Sequence, residues 1–179
     1  MKQTKNILLF SSRLLLLASW LLLLGSISSC KLNYSFTGAS IPPEVKTVSI
    51  QYFPNNASII KPTLSQSFTE TLRDIFTSQT NLSLINKGGD LNFEGSITGY
   101  TVSPVAIQSN DAAALNRLTI TVNVKFTNKK NEKQNFETYF SRFADYGSSQ
   151  NLSAVEDQLI KDINTQLTQD IFNKSVTNW

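Results

Sequence analysis

The sequence predicts an α+β fold, a two-layer sandwich with two helices packed on one face of a roughly four-stranded, mainly antiparallel sheet. Three observations carry that expectation. Strand-like stretches alternate apolar and polar residues, most cleanly Leu118 to Phe126. Two longer stretches repeat apolar residues at helical spacing, and the segments run strand, helix, strands, helix. Helices whose apolar stripes must be covered then gather on one side of the sheet.

In chain order, Lys2, Lys5 and Arg13 precede the apolar run from Leu14 to Leu24, which small and polar residues separate from Cys30. This is the charged, apolar and cleavage-region order of a secretory leader. A helix needs about 20 apolar residues to span a bilayer, and this run is about half as long. The chain is therefore expected to divide into a leader at 1–29, a lipid-bearing cysteine and tether at 30–44, and a domain at 45–179. Ile27-Ser28-Ser29-Cys30 resembles the bacterial lipobox, in which the cysteine thiol accepts a diacylglycerol before cleavage. Cys30 is the only cysteine, so no internal disulfide competes for it. Several acyl chains on one residue anchor firmly, because each buried methylene contributes about 0.8 kcal/mol.

Lys31 to Glu44 holds Gly38, Pro42 and Pro43 and reads as a tether. Val45 to Phe53 reads as a half-buried strand with Val48, Ile50 and Tyr52 on one side, ended by Pro54-Asn55-Asn56. Pro62 suits the first turn of a helix, and Thr63 with Gln66 has capping-box spacing. Leu64, Phe68, Leu72, Ile75 and Phe76 make its apolar stripe. Gly88-Gly89-Asp90 predicts a turn between a short strand at Leu82 to Ile85 and a longer one from Leu91 to Val102.

In Leu118 to Phe126, Leu118, Ile120, Val122, Val124 and Phe126 alternate with Thr119, Thr121, Asn123 and Lys125. One face is predicted to be core and the other to meet solvent or a partner. Asn128 to Lys133 reads as a polar hairpin tip, with Phe136 to Phe143 returning antiparallel. The last element opens on Ser153-Ala154-Val155-Glu156, another capping-box pattern. It carries Leu152, Val155, Leu159, Ile163, Leu167 and Ile171 on one stripe.

Bulk charge argues for neither of the two partners that a basic chain suggests. The formal charge of +3 comes from Lys2, Lys5 and Arg13, and residues 30–179 hold thirteen basic and thirteen acidic side chains. A neutral mature chain offers no bulk attraction to nucleic acid or to an anionic membrane. Histidine is absent and Cys30 is consumed by acylation, so no Cys/His metal site and no Ser-His or Cys-His nucleophile pair can be assembled. No cofactor and no metal are expected. Gly88-Gly89 lacks the further glycines and lysine of a phosphate-cradling loop. The carboxylate pairs Glu156-Asp157 and Glu70 with Asp74 are nominal acid-base candidates on predicted helices, where solvated charge is the usual explanation. Asn-X-Ser sequons at Asn33, Asn56, Asn81, Asn151 and Asn173 follow from a chain rich in Asn and Ser. Lys129, Lys130 and Lys133 at the hairpin tip, and Arg117 before the best strand, are either solvated charge or contacts for the phosphates of an anionic lipid.

Four stretches resemble the lipopolysaccharide-assembly lipoprotein family LptE, most of all its Bacteroidetes branch. They are Tyr34 to Pro42, Gly89 to Tyr100, Asn116 to Phe126 and Phe140 to Tyr146. The resemblance covers nearly all of the chain after Cys30. It implies two helices on a four-stranded sheet and no enzymatic activity. As partners it implies lipopolysaccharide and the LptD-like outer-membrane β-barrel, inside which the family sits as a plug. Lys31-Leu32-Asn33 lacks an acidic cluster after the cysteine and lacks the Asp that retains many lipoproteins at the inner membrane, so a lipid-anchored position at the outer membrane, facing the periplasm, is expected. Only Cys30 is carried over as a functional residue. Arg117, Lys129, Lys130 and Lys133 stay lipopolysaccharide-contact candidates by charge and place. A periplasm-facing lipoprotein that binds a small or lipidic ligand is the alternative.

Overall fold

The computed structural model describes residues 41–105 and 115–176. The expected leader, Cys30, most of the expected tether and the sequon at Asn33 lie outside the described residues. Strands are β1 (Thr47–Ile50), β2 (Ser83–Ile85), β3 (Leu91–Val105), β4 (Leu115–Asn128) and β5 (Phe136–Gly147). Helices are α1 (Pro62–Gln79) and α2 (Leu152–Val176), and a short 3-10 turn spans Glu132–Gln134.

The sheet has five strands in the order β2-β1-β3-β4-β5. The expected meander is present, since β3, β4 and β5 pair antiparallel along nearly their whole lengths. β1 instead runs parallel to both β2 and β3. For β1 and β2 the reason is α1, since a helix between two strands returns the chain to the end it left, and neighbouring strands joined that way must be parallel.

Pro62 opens α1 at its first turn, where its missing N–H costs nothing. The Thr63–Gln66 capping box does not form; the residue before the helix is Lys61, which makes no side-chain cap. At α2, too, the expected box is replaced. Ser153 lies within the helix, Asn151 Oδ1 accepts its backbone N–H at 3.1 Å, and Glu156 is engaged elsewhere. Spacing alone cannot tell the cap from the first turn, and here asparagine, an equally good capping residue, wins.

The core lies between helices and sheet. Leu64, Phe68, Leu72 and Phe76 of α1 and Ile163, Leu167, Ile171 and Phe172 of α2 are fully buried against Val48, Phe93, Ile97, Leu118, Ile120, Val122 and Val124. A chain of rings crosses it, Phe172 to Phe76 to Phe93 to Phe126 to Phe136, with centroids 4.8 to 5.2 Å apart. Such tilted and edge-on pairs add about 0.5 to 1.5 kcal/mol each beyond area burial. Tyr52, expected on the inner side of the first strand, is 56% exposed, because β1 ends at Ile50 and Phe53 fills the core position. At Gly95 the strands come so close that an added Cβ would lie 2.1 Å from the Asn123 carbonyl oxygen and 2.7 Å from the Phe53 ring. Only glycine fits that approach. A register shift between Ile97 and Gly99 follows.

Candidate functional site

The helices cover one face of the sheet and leave the other bare. The register puts Asn92, Glu94 and Ser96 of β3 beside Thr127, Lys125 and Asn123 of β4, and Lys125, Asn123 and Thr121 beside Glu137, Tyr139 and Ser141 of β5. Thr119, Thr121 and Asn123 are partly covered by these neighbours, and the Thr121 and Ser141 hydroxyls share a hydrogen bond of 3.0 Å. Tyr139 and Phe143 are the large apolar exposures on β5. The bare face is thus a field of hydroxyl and amide groups with two aromatics toward its edge.

A groove lies at one end of this face, lined by the lysines Lys87, Lys125 and Lys129 together with Gln51, Gly88, Asn92, Glu94 and Thr127. Its cations come from three separate segments: the loop after β2, the last residues of β4 and the hairpin tip. Gly88 adopts φ +76°, open to glycine at no steric cost, and its carbonyl accepts from Lys129 Nζ at 2.7 Å. Lys87, Lys125 and Lys129 make no ion pair among the described residues, although Glu94 and Glu137 flank Lys125 in register. Three ammonium groups around a polar hollow can hold a phosphate or carboxylate without burying it.

The hairpin tip that bears the predicted lysines is tightly built. Buried Asn128 accepts the Lys130 and Asn131 amides at 2.8 and 3.1 Å and donates to Gln134 Oε1 at 2.7 Å, while its own amide bonds Asn135 Oδ1. Lys129 joins the groove, Lys130 Nζ lies 3.3 Å from Asp90 Oδ1, and Lys133 sits in the short 3-10 turn. Asp90 also accepts the Lys46 and Thr47 amides and the Thr47 hydroxyl at 2.9 to 3.0 Å. Led by the Lys46 amide, these donors outweigh the opposing effect of burial and lower its pKa to about 2.

Arg117 is not brought to this cluster, since it lies near the other end of β4. Its guanidinium makes two hydrogen bonds to Asp145, at 2.7 and 2.8 Å, and rests 3.5 Å from the Phe143 ring centroid. The hydrogen bonds to Arg117 hold Asp145 below the usual carboxylate range. Fork-to-carboxylate geometry with a stacked ring makes Arg117 a fastener between β4 and β5.

The carboxylate pairs carry no chemistry of their own. Glu156 accepts Lys61 Nζ at 2.5 Å and the Tyr100 hydroxyl, joining the starts of both helices to β3. Burial pushes its carboxyl up, but the hydrogen bonds from Lys61 and Tyr100 outweigh that and hold it below its ordinary value. Burial first, and then the Glu156 hydrogen bond, push the Tyr100 hydroxyl far above its ordinary value. Asp157 is 3.7 Å from Lys61, and Glu70 pairs with Gln66 along an exposed helix face. No cluster of three or more metal-ligating side chains occurs among the described residues. Sequence reading missed Lys87 and Lys125, which are isolated in the chain and meet only through the sheet.

A compact α+β domain with helices on one face, and a polar bare face carrying a cationic groove, defines a class of binding or scaffolding protein. The chain belongs to the LptE family, described as lipopolysaccharide-assembly, whose profile matches residues 45–175. It is accordingly a non-enzymatic protein of lipopolysaccharide assembly. Similar solved structures include a minor lipoprotein from Acinetobacter baumannii, 15% identical, with 69% of this chain and 91% of that one covered at a TM-score of 0.45. Lipoprotein B from Nitrosomonas europaea is 16% identical, with 72% and 80% covered at a TM-score of 0.41. No match is found among the curated proteins.

Proposed function

We propose that removal of residues 1–29 and acylation of Cys30 produce a lipoprotein of the outer membrane, facing the periplasm, which fills the lumen of the lipopolysaccharide-translocating β-barrel. In that place it helps the LptD-like barrel to assemble and supports delivery of lipopolysaccharide to the outer leaflet. Family membership supports the pathway, and the bare sheet face carries the plug reading. Barrel lumens are polar, so a plug needs hydrogen-bonding side chains across a broad surface, as Ser96, Thr119, Thr121, Asn123 and Ser141 supply. The groove of Lys87, Lys125 and Lys129 is the favoured contact for a lipopolysaccharide phosphate, with Lys130 and Lys133 beside it. Arg117, held by Asp145, is the weaker candidate.

Detergent extraction and purification through a C-terminal tag, with mass spectrometry of the eluate, tests the partner. A large outer-membrane barrel at near-equal stoichiometry is expected, together with less surface lipopolysaccharide on depletion. Recovery of no barrel under conditions that preserve other outer-membrane complexes would overturn the plug. The groove favours one competing reading, a lipoprotein that binds an anionic ligand in the periplasm. Saturable binding of such a ligand without any barrel would put that reading in its place.

A further inference from the structure

Ile41 and Pro42, the first described residues, line a small recess with Leu91, Asn128, Gln134 and Val176. The chain therefore joins the domain at the end where β3 begins and where β4 and α2 finish. From Cys30 to Ile41 is eleven residues, which span at most about 40 Å when fully extended. This end of the domain cannot stand farther than that from a membrane that holds Cys30.

The same end gathers lysines from elements distant in sequence. Lys129 and Lys130 follow Asn128, and Lys133 lies in the 3-10 turn next to Gln134. The Lys46 amide shares Asp90 with the Lys130 ammonium, and Lys174 Nζ lies 5.2 Å from the Phe136 ring centroid. With Lys87 and Lys125 in the groove, seven of the nine lysines among the described residues are here, and only Lys61 and Lys161 lie elsewhere. Five carboxylates share this end: Glu44, Asp90, Glu94, Glu132 and Glu137. The rest of the described domain holds five cations, Lys61, Lys161 and the three arginines, against seven carboxylates. The described domain is neutral as a whole and positive toward the tether.

We propose that this lysine-bearing end docks on the anionic phospholipid headgroups of the membrane in which the acylated Cys30 is held. The inference rests on the lipid-anchor reading and needs neither barrel nor lipopolysaccharide. A tether alone limits distance and leaves orientation free; the lysines set orientation by holding the hairpin tip at headgroup level. Ammonium groups on a turn reach phosphates while staying solvated, and each contributes about fivefold to attachment at an anionic surface. The tether keeps the local concentration high, so a contact too weak to bind a free protein still orients a bound one. Asn128 and its four hydrogen bonds present the tip lysines as a rigid set, lowering the ordering cost.

The full lipidated protein, reconstituted in phosphatidylcholine vesicles with and without phosphatidylglycerol, is treated with a membrane-impermeant amine-acylating reagent. Mass spectrometry then reads each lysine. Lys129, Lys130 and Lys133, and with them Lys46 and Lys174 at the same end, are expected to react about fivefold or more slowly with phosphatidylglycerol present, relative to Lys161 on the outer side of α2. Added salt should restore their rates. In K129Q/K130Q/K133Q, with its melting transition compared separately, Lys46 and Lys174 should lose their protection. Equal reactivity in both lipids would overturn the proposal. So would protection that appears only when purified lipopolysaccharide replaces phosphatidylglycerol, which assigns the lysines to that lipid instead. Because no barrel is in the vesicles, failure here leaves the plug untouched, and loss of the plug leaves this result standing.

Discussion

At Asp90 a single carboxylate collects the Lys46 and Thr47 amides, the Thr47 hydroxyl and the Lys130 ammonium, fastening the start of β1 to the start of β3 and the hairpin tip. Its pKa is lowered from 3.8 to about 2, so the folded state holds the charged form more firmly than the unfolded chain does. The stabilisation is complete above the unfolded value and disappears as pH falls through about 4 toward 2, a span worth about 2 kcal/mol. Asp90→Asn is expected to lower stability by about that amount at neutral pH and to flatten its decline in acid. Denaturant titration of both proteins from neutral pH to pH 3 checks this, and parallel acid profiles would contradict it. In sequence Asp90 is only the third residue of a turn signal. Its partners lie forty or more positions away, Lys46 and Thr47 upstream and Lys130 downstream, beyond any local pattern.

Among the elements, α2 depends most on packing. Ile163 is fully buried, while neighbouring Asn164 is buried with its Nδ2 donating to Ser67 and its Oδ1 without a partner among the described residues. Its inner face is therefore only partly apolar, and the helix is held by the core on one side and by polar contacts to α1 on the other. Ile163→Asp would place an unpaired carboxylate in that core, a change expected to cost several kcal/mol against a total of about 5 to 15. Loss of the cooperative thermal transition is the expected readout, and a wild-type transition would show that α2 does not pack this way. The stripe from Leu159 to Ile171 was visible in the sequence because helical periodicity is local. The capping boxes were misread because their residue types suit caps, turns and longer-range hydrogen bonds equally, and Glu156 was drawn to Lys61 and Tyr100 instead.

For the whole molecule, the proposed function depends on joining one domain to one membrane, with Cys30 as the joint. Cys30→Ser is expected to leave an unprocessed precursor, or to release unlipidated protein, without altering the fold of residues 45–176. Metabolic labelling with a fatty acid should mark the wild type only. Equal labelling of the serine variant would remove the anchor, and with it the reach that places the lysine-bearing end near the headgroups.

Periodicity and order in the sequence determined both helices and the antiparallel β4–β5 hairpin, composition excluded histidine chemistry, and the resemblance of four stretches pointed to the family. These depend on residues close together in the chain or on residue types that are simply absent. Tertiary structure alone decided that β1 runs parallel between β2 and β3, that Arg117 is spent on Asp145, and that Glu156 joins two helices to a strand. It also brought Lys87, Lys125 and Lys129 around one groove. Each of these is a meeting of residues dozens of positions apart, and which side chains meet is set by strand register and packing once the core has closed.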